Sequence, residues 1–440
     1  MKKRIISVLS LALCLCMLMS FAGCGGGGNS AGKVGDLVLE DTAQEKLFES
    51  ARGTTITHIV EGEPNDYTKT ILAELEQRYG IKVKFMKMGY SEYTSKIAQM
   101  VATGSPPDTA VMTDALALNY IYANIAQPLN DYMDLEDKYW DKDILAQFTV
   151  DGKIYGVNTG DVDTFFIYYN KTLFEENNIE DPYTLYKNGE WTFDKLREIA
   201  KKATLYEDDN KTVKCHGFAT WYREVFVLAN GGNIIGLNTD TGMYESVVSD
   251  KKTVTGLNMI KNLAMDGSFD PAIAGYAEFP KREVAMLCER PANVVGNYDL
   301  YNTMDDEIGV VPLPKGPDAD KAYAASNMIV NYVPVNAKNP VGGMAWNYYW
   351  LRRETEGYIQ KDAAAVARIG KMMNEEHYGI INGYLDEATK ISSKLDSLMG
   401  WSNYSASFWG GLVNDGKSAE EVVATMDNTL KSALERTIGK

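Results

Sequence analysis

The amino-acid sequence predicts an α/β protein whose folded part is divided into two lobes. Its 440 residues exceed what a single hydrophobic core usually organises. The first part of the chain alternates predicted strands with amphipathic helices, which is the pattern of a parallel sheet covered by helices. Residues 151–176 then predict a strand, a polar bend, a second strand and a helix capped by Asn170. We interpret this stretch as the first crossing between the lobes.

The N-terminus has the pattern of a bacterial lipoprotein signal peptide. Basic residues precede an apolar run over residues 5–21, and small residues then lead to Cys24. We therefore expect residues 1–23 to be a signal peptide and Cys24 to carry lipid, with palmitate as the acyl group. The glycines that follow predict a flexible tether over residues 24–53. The alternative is a retained transmembrane anchor, because the apolar run approaches the length of a membrane span.

The first lobe is predicted to begin with three strands, at residues 55–60, 81–86 and 109–112, which are connected by helices at residues 67–79 and 90–103. In a parallel sheet, the loops at the carboxyl ends of the strands form the ligand crevice. The alternative for these loops is that they are acidic, solvated turns. The candidate ligand-binding residues are Glu61, Glu63, Asn65, Asp66 and Tyr67 after the first strand, and Thr113 and Asp114 after the third.

The rest of the chain predicts further elements of both lobes. Strands are expected at residues 217–220, 284–288, 308–313 and 326–335, and helices at residues 191–203, 221–228, 253–265, 341–352 and 418–438. The predicted lobe boundaries are residues 54–163 and 308–352 for the N-terminal lobe, and 164–307 and 353–440 for the C-terminal lobe. Two further crossings are expected near residues 308–313 and 352–357.

Composition excludes several classes of function. The net charge of −16 argues against a nucleic-acid partner, because binding a polyphosphate relies on Lys and Arg. Three histidines without paired spacing predict no metal and no cofactor. Residues 411–418 match the P-loop pattern but lack a preceding core strand, so we interpret them as a turn and a helix cap at Ser418. We expect no catalytic residues, although an extracellular glycan-active enzyme stays open because a glycosidase needs only two placed carboxylates.

Aromatic residues point towards a sugar. The chain has 27 tyrosines and 7 tryptophans, and sugars bind on flat aromatic rings surrounded by carboxylates and amides. The alternative is that most of these rings belong to the core, and of the eight aromatic residues near predicted turns we expect about three to touch ligand. The aromatic residues near predicted turns are Tyr67, Tyr155, Trp221, Tyr222, Tyr298, Trp401, Tyr404 and Trp409.

Six motifs carry a family resemblance. In order they are DGKIYGVN, FFIYYNKTLFEE, WTFDKLREIAKKAT, ANGGNII, FPKREVAM and IGVVPLPKG. Together they resemble the family 1 extracellular solute-binding proteins of ABC importers, which include the maltose-binding and other oligosaccharide-binding proteins, from about Thr55 to the C-terminus. The resemblance implies a fold like that of the type II periplasmic-binding proteins, with two α/β lobes joined by three crossings around a ligand cleft. It also implies a carbohydrate ligand, an ABC permease as partner and no catalysis, and we expect a monomer on the extracellular face of the membrane. A binding protein for a non-sugar solute is the alternative.

The resemblance also implies individual binding residues. Asp163 is the carboxylate before the family's Tyr-Asn pair, and Trp221 follows a strand where relatives place a ligand aromatic. The chain departs from the family where Arg290 replaces a usual glycine and Ala292 a stacking tryptophan. Arg290 has two interpretations, namely a partner for an acidic sugar or a salt bridge to Glu289 or to a lobe surface. The remaining candidates are Tyr222, Asn293, Ser326, Asn327 and Trp401.

Two cysteines lie in the predicted lobes, Cys215 and Cys288. An exported protein can join such a pair in a disulfide, and two buried thiols are the alternative.

Overall fold

The computed structural model describes residues 42–60, 64, 66–160, 162–294, 304–357 and 375–439. The chain divides into Met1–Leu39 and Glu40–Lys440, and every element described below belongs to the second unit. The predicted signal peptide, the lipid attachment site Cys24 and most of the tether lie outside the described residues.

The secondary structure mixes helices and strands along the whole second unit. The helices are α1 (Ala43–Glu49), α2 (Asp66–Tyr79), α3 (Tyr90–Ala102), α4 (Asp114–Tyr122), α5 (Lys142–Gln147), α6 (Lys171–Glu176), α7 (Pro182–Lys187), α8 (Phe193–Ala203), α9 (Val225–Ala229), α10 (Lys251–Met265), α11 (Pro291–Val294), α12 (Pro340–Gly357), α13 (Glu375–Glu387), α14 (Ser405–Val413) and α15 (Ala419–Ile438). The strands are β1 (Thr55–Val60), β2 (Lys82–Lys87), β3 (Ala110–Thr113), β4 (Ala126–Gln127), β5 (Thr149–Val150), β6 (Lys153–Ile154), β7 (Asp163–Thr164), β8 (Phe166–Asn170), β9 (Leu205–Tyr206), β10 (Val213–Cys215), β11 (Ile235–Asn238), β12 (Met243–Ser246), β13 (Met286–Glu289), β14 (Ile308–Pro312), β15 (Tyr323–Asn327), β16 (Ile329–Pro334) and β17 (Thr389–Ile391).

The first lobe is built on a sheet with the order β2, β1, β3, β16, β4. β1 is parallel to β2, and a parallel bridge between His58 and Thr109 joins β1 to the segment that leads into β3. The predicted parallel start of the sheet is therefore confirmed. β16 is antiparallel to β3 and β4. Helices α2 and α12 bury apolar residues such as Leu75 and Trp346 in one core, and α3 contributes Ile97 to another that contains Met112.

The second lobe is built around β8, all of whose residues are buried. β13 and β14 flank β8, and both pair with it in antiparallel register. Ala219 forms a parallel bridge with Leu287, which places residues 217–220 beside β13. The predicted cap is confirmed, because the side chain of Asn170 accepts a hydrogen bond from the backbone N–H of Leu173 at 2.8 Å. A strand buried on both faces in this way explains its continuous apolar sequence.

Three short strands form a small sheet between these two larger ones. β7 is antiparallel to β15, with Asp163 opposite Asn327, and β15 is parallel to β17. The hydroxyl oxygens of Thr164 and Ser326 lie 2.6 Å apart inside this sheet. We call β7, β15 and β17 the hinge sheet.

One predicted lobe boundary is wrong. Ile308–Pro312 was expected to return the chain to the first lobe, but β14 pairs with β8 over its whole length. The return is made instead by β15, and β16 then enters the first sheet. The crossing predicted near residues 352–357 stays a prediction, because α12 extends to Gly357 and residues 358–374 lie outside the described part of the chain.

Two other features of the chain bear on its predicted chemistry. Cys215 and Cys288 are both buried and both free, as in the alternative of two buried thiols. Ser418 caps α15 by accepting from the backbone N–H of Glu421 at 3.2 Å, which confirms the predicted helix start.

Among the described residues, none of the helices is both long enough and apolar enough to cross a membrane.

Candidate functional site

Asp163 lies where the hinge sheet meets the second lobe. It is the first residue of β7, and its carboxylate faces the segment that follows β13. Asp163 Oδ2 accepts a hydrogen bond from Arg290 Nη1 at 3.1 Å, and Asp163 Oδ1 accepts one from the backbone N–H of Ala292 at 3.4 Å. Burial raises the pKa of Asp163, while Arg290 and this N–H oppose the rise. Asp163 and Arg290 were both predicted from sequence, and the structure brings them together.

Arg290 is held from several sides. Its Nη2 donates to the hydroxyl of Tyr222 at 2.7 Å, and its Nε lies 3.5 Å from Glu289 Oε1. The guanidinium carbon lies 5.1 Å from the ring centroid of Tyr222 and 5.8 Å from that of Phe165, within range of cation–π attraction. Glu289, the partner expected in the salt-bridge interpretation, therefore lies at this guanidinium, and Asp163 is a second carboxylate partner. We call Asp163, Tyr222, Glu289 and Arg290 the Arg290 network.

Trp221 stands next to this network in the chain. It follows the strand segment at residues 217–220 and precedes Tyr222, and 64% of its surface is exposed. An indole exposed to this extent is unusual, because large aromatic residues are normally mostly buried. Trp221 therefore offers an exposed aromatic ring one residue before Tyr222, whose hydroxyl binds Arg290.

The first lobe contributes Thr113 and Asp114 at the junction of β3 and α4. Asp114 Oδ2 accepts from the backbone N–H of Met328 at 3.0 Å, and Oδ1 accepts from that of Ala115 at 2.9 Å. Met328 separates β15 from β16, so Asp114 ties the end of β3 to the end of the hinge sheet. Thr113 Oγ1 is buried and has no hydrogen-bond partner among the described residues.

Two charged groups near Asp114 were missed from sequence, Glu224 and Lys394. Glu224 precedes α9, and its pKa is raised to about 7 by burial and by repulsion from Asp396 and Asp114. Lys394 is only 2% exposed, and burial lowers its pKa to about 8, while Asp114 opposes this effect. Its Nζ donates to the hydroxyl of Ser392 at 2.7 Å. These groups come from separate segments of the chain, and nothing in the local sequence signals that they meet.

The other predicted binding residues either take part in secondary structure or lie outside the described residues. Ser326 is buried, with its hydroxyl on Thr164, and Asn327 lies opposite Asp163 in the hinge sheet. Asn293 lies in α11, where its backbone N–H donates to the carbonyl oxygen of Arg290 at 3.0 Å. Glu61, Glu63 and Asn65 lie outside the described residues, and Asp66 and Tyr67 are the first residues of α2.

The structure does not bring Trp401 to the Arg290 network. Trp401 is 6% exposed and belongs to the core of the second lobe, where its ring packs edge-on against Phe408 at 5.7 Å between centroids. The Trp401 indole is therefore part of the core of the second lobe.

A cavity of about 590 Å³ shares Lys394 with the surroundings of Asp114, but its lining includes neither Trp221 nor any residue of the Arg290 network. Its lining includes Gln147 of α5, Tyr244 of β12, Lys252 of α10 and Lys394. Within the described part of the chain, no cluster of three or more His, Cys, Asp or Glu side chains is arranged to hold a metal ion. The candidate site is therefore defined by the Arg290 network, Trp221 and the Thr113–Asp114 junction rather than by this cavity.

Comparison with known proteins identifies the family. A profile described as bacterial extracellular solute-binding protein matches residues 70–364, which is more than half of the chain. A putative binding protein of Brucella abortus (strain 2308) is 24% identical over 275 residues. That match covers 59% of this chain and 62% of the relative, so the chain spans less than two thirds of the length of the curated relatives it matches.

Solved structures share the fold at low identity. An ABC substrate-binding protein of Listeria monocytogenes in complex with cycloalternan superimposes with a TM-score of 0.58 at 19% identity, covering 88% of this chain and 99% of that one. UgpB of Mycobacterium tuberculosis in complex with glycerophosphocholine gives a TM-score of 0.64 at 15% identity, with coverages of 87% and 99%. The two-lobed α/β fold of the type II periplasmic-binding proteins is thereby shown. The chain belongs to the family of bacterial extracellular solute-binding proteins.

Proposed function

We propose that this protein is the substrate-binding component of an ABC importer, and that it captures a carbohydrate, an oligosaccharide, in the cleft between its lobes. The observation that carries the proposal is the exposed indole of Trp221, which directly precedes Tyr222 in the chain, where Tyr222 binds Arg290 and Arg290 in turn binds Asp163. A sugar ring has apolar C–H faces and a rim of hydroxyl groups, so it requires both kinds of surface in one place. The cycloalternan bound by the Listeria monocytogenes protein supports a carbohydrate ligand.

The hinge sheet supports a mechanism of capture by closure. Asp163 and Asn327 lie in the hinge sheet, Trp221 and Arg290 in the second lobe, and Thr113 and Asp114 at the edge of the first. A ligand that contacts both lobes stabilises the closed state only by its additional affinity for that state. The closed complex would then present the sugar to the transmembrane subunits of the permease.

The same proposal covers the protein's location and assembly. We infer that the chain works as a monomer on the extracellular face of the cell membrane, anchored through lipid on Cys24 after removal of residues 1–23. The basic, apolar and small-residue pattern before Cys24 supports the anchor. We also infer that the protein performs no catalysis, which is in keeping with a family of binding proteins.

A non-sugar solute is the second candidate. Arg290 and Ala292 stand where related proteins carry a glycine and a stacking tryptophan, so one aromatic platform is missing and a guanidinium is added next to its position in the chain. The M. tuberculosis neighbour, crystallised with glycerophosphocholine, is similar to this chain in fold. A polar solute that needs a single aromatic contact would suit such a site.

A thermal-shift screen tests the proposal. The folded chain, residues 42–440, is screened against neutral, amino and acidic mono- and oligosaccharides, with glycerophosphodiesters and short peptides as the second set. A ligand that binds only the folded state raises the melting temperature in proportion to the logarithm of its concentration above Kd. A shift with one or more saccharides is the expected result. A shift with the second set alone refutes the carbohydrate, and turnover of any saccharide refutes the inference that the protein is not an enzyme.

A further inference from the structure

We infer that the cavity of about 590 Å³ beside the hinge sheet is a second ligand site, which binds a small organic carboxylate with an apolar body. The inference goes beyond the proposed function, because neither Trp221 nor any residue of the Arg290 network lines this cavity. Its volume lies within the range of about 300–1,000 Å³ that small-molecule sites usually have. Lys394 is the residue that selects the carboxylate.

Three parts of the fold meet at the cavity. Ala146 and Gln147 come from α5, whose neighbouring residues Ile144 and Leu145 are buried in the two cores of the first lobe. Ile391 belongs to β17 of the hinge sheet, and β11, β12 and the start of α10 complete the lining from the second lobe. Small-molecule sites occur preferentially at such junctions between domains.

Lys394 is the group in the lining that requires an anion. It is 2% exposed. Within the described part of the chain, its ammonium group has a hydrogen bond to the Ser392 hydroxyl at 2.7 Å and a cation–π contact with Phe148, 4.5 Å from the ring centroid, but no ion pair. An ammonium group has three N–H donors, so donors remain beyond the bond to Ser392. Because a buried charge without a counter-ion is costly, an anion that reaches this group is stabilised.

A chain of hydrogen bonds fixes Lys394 at the cavity wall. The Ser392 hydroxyl accepts from Lys394 Nζ and donates to Gln147 Oε1 at 3.2 Å. The backbone N–H of Ser392 donates to the same oxygen at 2.8 Å, and Gln147 Nε2 donates to the carbonyl oxygen of Lys390 at 2.8 Å. The ammonium group is therefore held in place before a ligand arrives, which lowers the entropy cost of binding.

The other lysines of the lining already have carboxylate partners. Lys251 forms an ion pair with Asp318. Lys252 forms one with Asp320 at 3.0 Å. Among the described residues, Lys394 is thus the lysine of the lining whose charge is not paired with a carboxylate.

The remaining walls suit the apolar body of the ligand. Their apolar side chains are those of Ala146, Ile235, Leu237, Tyr244, Val247 and Ile391. An aliphatic chain or an aromatic ring placed against them is removed from water, which favours binding. Asp250 also lines the cavity, but it is exposed to solvent. A single unpaired ammonium group suits a ligand with one negative charge.

Titration calorimetry with pairs of carboxylates and amides tests the inference. The probes are hexanoate and phenylacetate, each compared with its primary amide, together with acetate, at constant chloride and without saccharide. We expect each of the two larger carboxylates to bind about tenfold more tightly than its amide, as a charge-assisted hydrogen bond implies. Acetate should bind more weakly than hexanoate, because it lacks the apolar body. Equal binding of acid and amide, binding of acetate as tight as that of hexanoate, or no binding of either larger carboxylate refutes the inference.

A pair of charge-matched variants assigns the preference to Lys394. Lys394→Met replaces the buried ammonium group by an apolar side chain of similar length, while Lys202→Met removes the same charge from an exposed position on α8, where Lys202 pairs with Glu198. The tenfold preference for the carboxylate should disappear in Lys394→Met and persist in Lys202→Met. A preference that persists in both variants refutes the role of Lys394.

The pH dependence provides a test in the wild-type protein that does not depend on the folding of a variant. Burial lowers the pKa of Lys394 to about 8, while the carboxylate of Asp114 opposes this effect. Hexanoate should therefore lose its preference over hexanamide as the pH rises above about 8, and the affinity for hexanamide should not change. An unchanged preference at pH 9.5 contradicts the assignment.

A saccharide that binds in the cleft separates this inference from the proposed function. Hexanoate and the best saccharide of the thermal screen should bind at the same time. A strict competition, in which the Kd of hexanoate rises in proportion to the saccharide concentration, would place both in one site and refute a second one. Failure of every saccharide in the screen refutes the carbohydrate proposal and leaves the outcome of the hexanoate titration valid.

Discussion

Replacing Asp163 by alanine should weaken ligand binding while leaving the protein folded. The substitution removes the acceptor that receives Arg290 Nη1 at 3.1 Å and the N–H of Ala292 at 3.4 Å. A hydrogen bond to a charged group contributes about 1.5–3 kcal/mol to stability. Because the Asp163 side chain is 28% exposed, water replaces part of this interaction, and we expect a loss of about 1.5 kcal/mol in the free energy of unfolding. A protein of this size tolerates such a loss.

The effect on affinity should be larger than this loss suggests. The variant removes an acceptor for ligand hydroxyl groups and also frees Arg290 to adopt other positions. Loss of one charge-assisted hydrogen bond to the ligand corresponds to a Kd about 10–100 times higher. Urea unfolding gives the stability, and titration calorimetry with the best ligand from the thermal screen gives the affinity.

Asp266→Ala is a matched control for this prediction. Asp266 caps the end of α10, accepts from Arg197 Nη2 at 2.9 Å and forms an ion pair with Lys201 at 3.0 Å. Its side chain is 10% exposed, so its removal should lower stability at least as much as the loss of Asp163. Its affinity for ligand should match that of the wild type. Wild-type affinity in Asp163→Ala, or equal losses of affinity in the two variants, would remove Asp163 from the binding site.

Three further predictions concern Trp221, Glu224 and the two thiols. Trp221→Ala should change the free energy of unfolding by less than about 0.5 kcal/mol, since the Trp221 side chain is 64% exposed, yet it should raise the Kd for ligand about tenfold. Tyr206→Ala is the control, because Tyr206 is 47% exposed and its replacement should leave the affinity unchanged in the same titration. The carboxyl of Glu224 keeps its proton in the folded state up to about pH 7, whereas it ionises near pH 4.5 in the unfolded chain. Raising the pH therefore destabilises the wild-type fold. The free energy of unfolding of Glu224→Gln, relative to that of the wild type, should increase by about 1–2 kcal/mol between pH 5 and pH 8.5. Urea titrations at the two pH values measure this gain, and an equal gain at both would contradict it. Burial raises the pKa of Cys215 to about 12 and that of Cys288 further. A chromogenic disulfide reagent should therefore detect no reactive thiol in native residues 42–440 and two thiols after denaturation. Detection of no thiol after denaturation would instead indicate a disulfide.

The local sequence pattern was sufficient to predict the strands and helix caps that depend only on residues close to each other in the chain. β1, β2 and β3 follow from short apolar runs bounded by turns, and Asn170 caps α6 through residues three positions away. The single strand predicted over residues 326–335 is divided in the structure, because Asp114 binds the backbone N–H of Met328 between β15 and β16. That contact joins residues that are distant in sequence, so no local pattern contains it.

Strand pairing and burial account for the remaining differences. β14 is apolar on both faces and fits the centre of either large sheet, so its sequence does not specify that β8 is its partner. Trp401 follows a glycine in a turn, and such a residue has the same sequence signature whether its ring is exposed or packed on Phe408. Glu224 and Lys394 meet Asp114 only through tertiary structure. The candidate site was therefore predicted where family motifs identify it, at Asp163, Trp221 and Arg290, and missed where it depends on tertiary contacts alone.

The hydrogen bonds within the hinge sheet have a mechanical consequence. β7, β15 and β17 are paired side by side, and the hydroxyl groups of Thr164 and Ser326 meet inside the pairing. The connections between the lobes are therefore not independent tethers but a single joint, in which a rotation at one strand is transmitted to the other two. Cleavage of one connecting segment would leave the remaining paired strands to hold the two lobes together.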